Sequence, residues 1–364
     1  MTAPRPIPED RIGRAAVPDV ATWPKAELHL HLDGSLFVPT ALDLARTRDV
    51  DAPRDEVAMR DALVAPAHGA SQAALLRSFD LPIRLLQDRD ALVRVASELV
   101  EAKAADGVRY VEVRWAPSLH TAGGLSAAEV IAAVADGTDE GVRRSAAAGS
   151  AIVARLIVTA LRAHDPADNR ALAEVAGSFR DRGVVGWDLA GPEERYPDPL
   201  AHRASFEAAR AGGLRITCHA GEWGGAAQVR RALALEPERI AHGAVAAESP
   251  ELCGLLRERR IALDLCPTSN VQAGIYGDVA DHPLGRLHRA GVKVTLSTDD
   301  MTVSEITLTQ EYRRAHDRIG LTLAELWAID RRALDVAFAD EATLSPLRAS
   351  FDAWAATLPE LAAS

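Results

Sequence analysis

The sequence predicts a parallel (β/α)8 (TIM) barrel. Eight short apolar runs recur along the chain, helical patterns separate them, and polar residues collect where the runs end. Parallel strands require crossovers, and helices of this spacing supply them. The predicted strands are Ala26–Leu32, Val108–Trp115, Ile152–Thr159, Val184–Leu189, Leu214–His219, Arg239–His242, Ile261–Cys266 and Val292–Thr298. The first alternates strictly, with Leu28, Leu30 and Leu32 on one face and Glu27, His29 and His31 on the other. An open doubly wound sheet is the competing architecture; a count of eight favours closure.

The intervening helices carry ordinary start and stop signals. Ser126 stands where an N-cap belongs, before an Ala-rich stretch to Ala148. Helical patterns at Ala167–Arg182, Pro199–Ala211, Ser249–Arg260 and His282–Ala290 follow, and Gly183, Gly212 and Gly291 stand where helices stop. Two regions exceed simple alternation. Ala41–Asp106 is too long for one crossover, so it predicts several helices inserted after strand one, set either over the barrel mouth or on its flank. Ser304–Leu358 predicts further helices at the C-terminus.

Bulk properties narrow the function classes. The 364 residues suit one large barrel, and 48% hydrophobic with 26% charged residues is ordinary globular composition. A net charge of −11 disfavours nucleic acid and anionic membrane as partners, but not an uncharged small molecule. Cys218, Cys253 and Cys266 form no C-x-x-C pair, which fits a reducing compartment. No apolar run approaches the roughly 18 residues of a membrane span. Residues 1–19 lack a signal-peptide core and read as a flexible arm, with 20–364 as one domain of a cytoplasmic protein. Oligomeric state is not legible.

In a parallel barrel the chemistry sits at the strand C-termini. Strand one ends in His29, His31 and Asp33, strand four in Asp188 and Gly191, strand five in His219 and Glu222, and strand six in His242. Strand seven ends in Asp264, Thr268, Ser269 and Asn270, and strand eight in Asp299 and Asp300. Two histidines two residues apart on a strand reach one ion, and zinc takes imidazole and carboxylate ligands. The expected set is His29, His31, His219 and Asp299, with one zinc per chain. Such a set leaves a position for water, whose pKa zinc lowers to about 7. Glu222 is placed to act as a general acid, His242 to orient the hydroxide, and Asp300 to accept a hydrogen bond from substrate.

These segments resemble the adenosine deaminase family. Lys25–Leu36 (KAELHLHLDGSL) resembles its opening metal motif, and His219–Glu222 (HAGE) its catalytic segment. Val184–Gly191, Asp264–Val271 and Ser297–Asp300 are similar to its fourth-, seventh- and eighth-strand segments. The resemblance runs from about Pro24 to Phe338. It implies a zinc hydrolase acting on a purine nucleoside, adenosine or 2′-deoxyadenosine. Glu222 would protonate N1, His242 would position the attacking hydroxide, Asp300 would hydrogen-bond N7, the Gly191 backbone would contact N3, and Asp33 with His31 would face the ribose. Ala241, Met301, Trp187, Trp223 and Pro192 depart from the family pattern around the pocket. They leave open adenine, a 5′-modified adenosine such as an aminodeoxyfutalosine-type compound, or a non-catalytic purine-binding role. Trp187 and Trp223 either narrow the pocket or simply pack.

Overall fold

The computed structural model describes residues 19–48, 50–358 and 361. Eight strands form its centre: β1 Lys25–His31, β2 Val108–Trp115, β3 Val153–Leu161, β4 Val184–Ala190, β5 Arg215–Ala220, β6 Arg239–His242, β7 Ala262–Leu265 and β8 Lys293–Leu296. Each pairs in parallel with the next in sequence. Beyond β8 the chain returns to β1. Asp299 bridges Leu30, its carbonyl accepts from the His31 N–H at 2.7 Å, and its N–H donates to His29 O at 3.1 Å. The ring is closed, so the predicted barrel holds and the open sheet is excluded. The arm expected at 1–19 falls, Asp19 apart, outside the described residues.

Between β1 and β2 lie α1 Val38–Thr47, α2 Glu56–Leu63, α3 Gln72–Arg77, α4 Asp80–Leu85 and α5 Arg89–Ala105. Both sequence-level readings of this insertion have a counterpart. Leu75, Leu76, Phe79 and Ile83, around α3 and α4, wall the pocket at the barrel mouth, whereas α5 packs on the flank against α6, Ala127–Ala147. The Ser126 side chain caps α6 in a reciprocal capping box with Glu129. Three C-terminal helices, Leu308–Asp317, Leu323–Val336 and Glu341–Ala355, complete the outer layer. Gly183 and Gly291 take the left-handed conformation expected of helix stops. At the third stop it is Gly213, one residue past Gly212, that does so.

The alternation of β1 is interrupted. A register shift lies between Glu27 and Leu30, and Glu27 does not join the two histidines. Its carboxylate pairs with Lys103 of α5 at 2.6 Å and accepts from the Thr298 N–H at 2.9 Å. Leu28, Leu30 and Leu32 are fully buried, as the pattern predicts.

Paired charges tie strands across the ring. Arg114 of β2 donates to Asp188 of β4 at 3.2 Å and to the Leu28 carbonyl at 2.7 Å. Arg239 of β6 donates to Asp264 of β7 at 3.0 Å, pairs with Glu112 of β2, and lies over the Phe338 ring. Asp264 also accepts from Thr295 of β8 at 2.9 Å. Asp264, grouped by sequence with the site residues, therefore braces the barrel and is not on the pocket wall. Buried charges are tolerable only when paired in this way.

Replacing Arg239 by Ala leaves two buried carboxylates without their partner. The expected loss in chemical denaturation is about 3–5 kcal/mol. Arg289→Ala, which breaks a surface pair with Glu325, should cost less than about 1 kcal/mol.

Candidate active site

The residues singled out at the strand ends meet in one place. His29 and His31 come from β1, His219 from β5, His242 from the end of β6, and Asp299 from just past β8. His31 Nε2 lies 3.3 Å from His29 Nε2, 3.2 Å from His219 Nε2 and 3.4 Å from Asp299 Oδ1; His29 Nε2 is 3.0 Å from the same oxygen. A tetrahedral ion with ligands at about 2.0–2.1 Å would set neighbouring donor atoms about 3.3 Å apart. The four side chains fit that requirement. Asp299 Oδ1 is buried without a hydrogen-bond partner, as an oxygen aimed at a cation would be. His242 stands against the same cluster: one atom each of His29, His219, His242 and Asp299 lies within 4.8 Å of the others. Its Nε2 is 3.7 Å from both Asp299 Oδ2 and Glu222 Oε1.

Burial keeps these imidazoles uncharged. It pushes His29 well below its ordinary value, His31 down to about 4 and His242 down to about 3. Neutral imidazole is the form that binds metal. Other side chains hold the cluster in place. Asp188 Oδ2 sits 2.8 Å from His219 Nδ1, which puts the proton on Nδ1 and turns the Nε2 lone pair toward the cluster. Burial opposes ionisation of Asp188, but His219 and Arg114 outweigh it and hold the carboxyl below the usual range. Ser269 donates to Asp299 Oδ2 at 2.7 Å. His242 and Asp299 both have positive φ, 67° and 66°, strain of the kind stored at functional sites.

A pocket of about 260 Å³ opens above the cluster, lined by His31, Asp33, His219, Glu222, His242, Asp299 and Asp300, with apolar walls including Leu119, Leu161 and Trp223. Burial, reinforced by the carboxylates of Asp299, Glu193 and Asp300, raises Glu222 well above the ordinary range. The leading cause survives when a cation neutralises Asp299. Asp300 is likewise raised by burial and by Asp299 and Asp33. A neutral carboxyl donates a hydrogen bond, so Asp300 meets a substrate as a donor, where the sequence reading made it an acceptor. Gly34 makes room for it: a Cβ there would lie 1.7 Å from Asp300 Oδ1. Gly191 has φ 111° at the pocket wall, a conformation that exposes its backbone and suits glycine alone. Trp223 lines the pocket; Trp187 is fully buried and packs elsewhere.

Several contributors had no signal in the sequence. His120 Nε2 lies 2.9 Å from Asp33 Oδ1, and its Nδ1 2.9 Å from Leu86 O, which clamps the carboxylate at the pocket wall. Glu193 accepts from the N–H groups of Gly221 (2.9 Å), Trp223 (3.2 Å) and Gly224 (2.9 Å), and so shapes the loop carrying Glu222. Asn270 joins His242 to His282, at 3.1 Å on each side. A larger depression, about 740 Å³, lies at the opposite end of the barrel, among the starts of β3 and β4. Its Arg182 and Arg348 are paired with Asp136 and Asp335, and none of the imidazoles reaches it.

Residues 24–354 match the family model described as adenosine deaminase. The chain belongs to the adenosine deaminase family. It is 40% identical to an adenosine deaminase of Mycobacteroides abscessus over 86% of this chain and 90% of that one. It is 39% identical to an adenosine deaminase of Mycolicibacterium vanbaalenii over 92% and 93%. Among solved structures it resembles an Arabidopsis N6-mAMP deaminase (29% identity, TM-score 0.79, 92% and 99% covered). It also resembles a Burkholderia ambifaria amidohydrolase with bound Zn (27%, TM-score 0.83, 97% and 98% covered). Membership makes the chain a hydrolytic deaminase of a metal-dependent family.

Asp188→Asn keeps the shape beside His219 but removes the charge on its Nδ1–H. Metal affinity should fall about 10–100-fold, read by competition with a chromophoric chelator. Unchanged affinity would show that Asp188 does not orient this imidazole.

Proposed function

We propose that the chain deaminates adenosine and 2′-deoxyadenosine hydrolytically, with one zinc ion held by His29, His31, His219 and Asp299. The observation that carries this reading is the meeting of a buried, proton-retaining Glu222 with the imidazole–Asp299 cluster at the floor of one pocket. The metal's contribution is a water made nucleophilic near neutral pH. Glu222 gives its proton to purine N1, which draws electron density from C6. His242 hydrogen-bonds the incoming oxygen. Asp300 donates to N7, the Gly191 backbone reaches N3, and Asp33 with His31 faces the ribose. Of the water's two hydrogens, one ends on N1 and the other on departing ammonia.

The pocket's charge supports a nucleoside. Among the described residues its wall carries no Lys or Arg but includes Asp33, Glu222, Asp299 and Asp300. A 5′-phosphate would meet carboxyls with no counter-charge. The curated relatives at 38–40% identity named adenosine deaminase favour the same substrate over adenine or a 5′-modified compound. We assign residues 20–364 to one catalytic domain acting on small purine nucleosides in cytoplasmic purine salvage. No helix among the described residues is long and apolar enough to cross a membrane.

Glu222→Gln should retain metal and lose about 10²–10⁴-fold in kcat, since an amide cannot deliver the proton. Turnover close to the parent would contradict the assignment. Because Glu222 acts in its protonated form and its value is raised, kcat/KM should hold through neutrality and fall as pH rises through that value. Adenosine and 2′-deoxyadenosine should both be turned over, and AMP at least about 100-fold less efficiently, a difference near 2.7 kcal/mol. Silence on the nucleosides with metal bound would redirect the search to non-purine rings.

A further inference from the structure

His242 touches the donor cluster and Glu222 alike, so its Nε2 has three possible roles. It would ligate the metal or accept a proton if it carried a lone pair, and it would donate a hydrogen bond if it carried hydrogen. The residues behind it decide among these. The Leu284 backbone N–H, which can only donate, points at His282 Nδ1 at 3.3 Å. Nδ1 of His282 is therefore an acceptor, and in the neutral ring the hydrogen sits on Nε2. That Nε2–H faces the Asn270 side chain at 3.1 Å, so the atom opposite must be the amide oxygen. The other end of the same amide, now necessarily the NH2, faces His242 Nδ1 at 3.1 Å. Nδ1 of His242 thus accepts, and its hydrogen is on Nε2.

Every group in this chain is buried: His242 is 1% exposed, Asn270 0% and His282 3%. Water is not available to replace a mismatched partner, and reversing one link would set two donors or two acceptors face to face. The backbone amide therefore sets the polarity of the whole series. His219 is set the opposite way, by the Asp188 carboxylate at its Nδ1. The two neighbouring rings, with centroids 5.2 Å apart, present different faces to the site: a lone pair from His219 and an N–H from His242.

We propose that Asn270 and His282 are positioning residues. They lock His242 in the Nε2–H tautomer, so that it meets the reacting oxygen as a hydrogen-bond donor and stands outside the metal's ligand set. Its effect on turnover rests on the deamination reading above; the tautomer does not.

The test uses metal-loaded protein labelled with 15N-histidine, the His242 signals being those lost in His242→Gln. Wild type should show a protonated Nε2 and a hydrogen-bond-accepting Nδ1 on His242. Asn270→Asp puts an acceptor oxygen opposite Nδ1 with almost no change in shape, and should move the hydrogen to Nδ1. It should retain one metal per chain and leave KM within about threefold, while kcat falls about 10²–10⁴-fold. A metal-bound or unprotonated His242 Nε2 in wild type would overturn the proposal, as would Asn270→Asp with an unchanged kcat. The wild-type spectrum decides the tautomer even if the variant does not fold, and it does so whatever substrate the enzyme proves to turn over.

Discussion

The barrel closes through Asp299, and the chemistry depends on that closure. One backbone residue completes the ring by exchanging hydrogen bonds with His29 and His31, and the same residue supplies the carboxylate that faces their imidazoles. The left-handed conformation of Asp299 turns its side chain toward them. Ring closure and donor geometry are therefore one constraint. A slip of a single residue at this junction would send the carboxylate to the other side of the strand and dissolve the cluster.

Burial then sets the proton inventory. In one dry pocket the imidazoles are kept neutral, whereas Glu222 and Asp300 retain protons that exposed carboxyls would lose. The same low polarity acts in opposite directions on bases and acids because it penalises whichever form is charged. A site so prepared holds ligands ready for a cation and an acid ready to donate, side by side. The ion-paired arginines keep the ring rigid beneath it. Arg114 links this support directly to the site through Asp188, which in turn fixes His219.

Much of this was legible in the sequence. The eight strands lie within two residues of their predicted bounds, because apolar runs and intervening helices report local periodicity directly. The strand-end rule brought His29, His31, His219, Glu222, His242, Asp299 and Asp300 to one pocket. The rest depended on contacts through space. The register shift that removes Glu27 from the histidine face has no marker in an alternating run. Asp264 reads as a site residue at a strand end until Arg239 is found against it. His120, Glu193 and His282 act by holding Asp33, the Glu222 loop and Asn270, and no spacing along the chain announces such partners.

The account's central claim is that one metal ion in this donor set is required for deamination. It is tested most directly by stripping the protein with a chelator and returning zinc in steps while adenosine turnover is followed. The account predicts negligible turnover at zero zinc and a linear recovery that saturates at one equivalent per chain. Turnover that survives complete metal removal, or that keeps rising to a second equivalent, would contradict it.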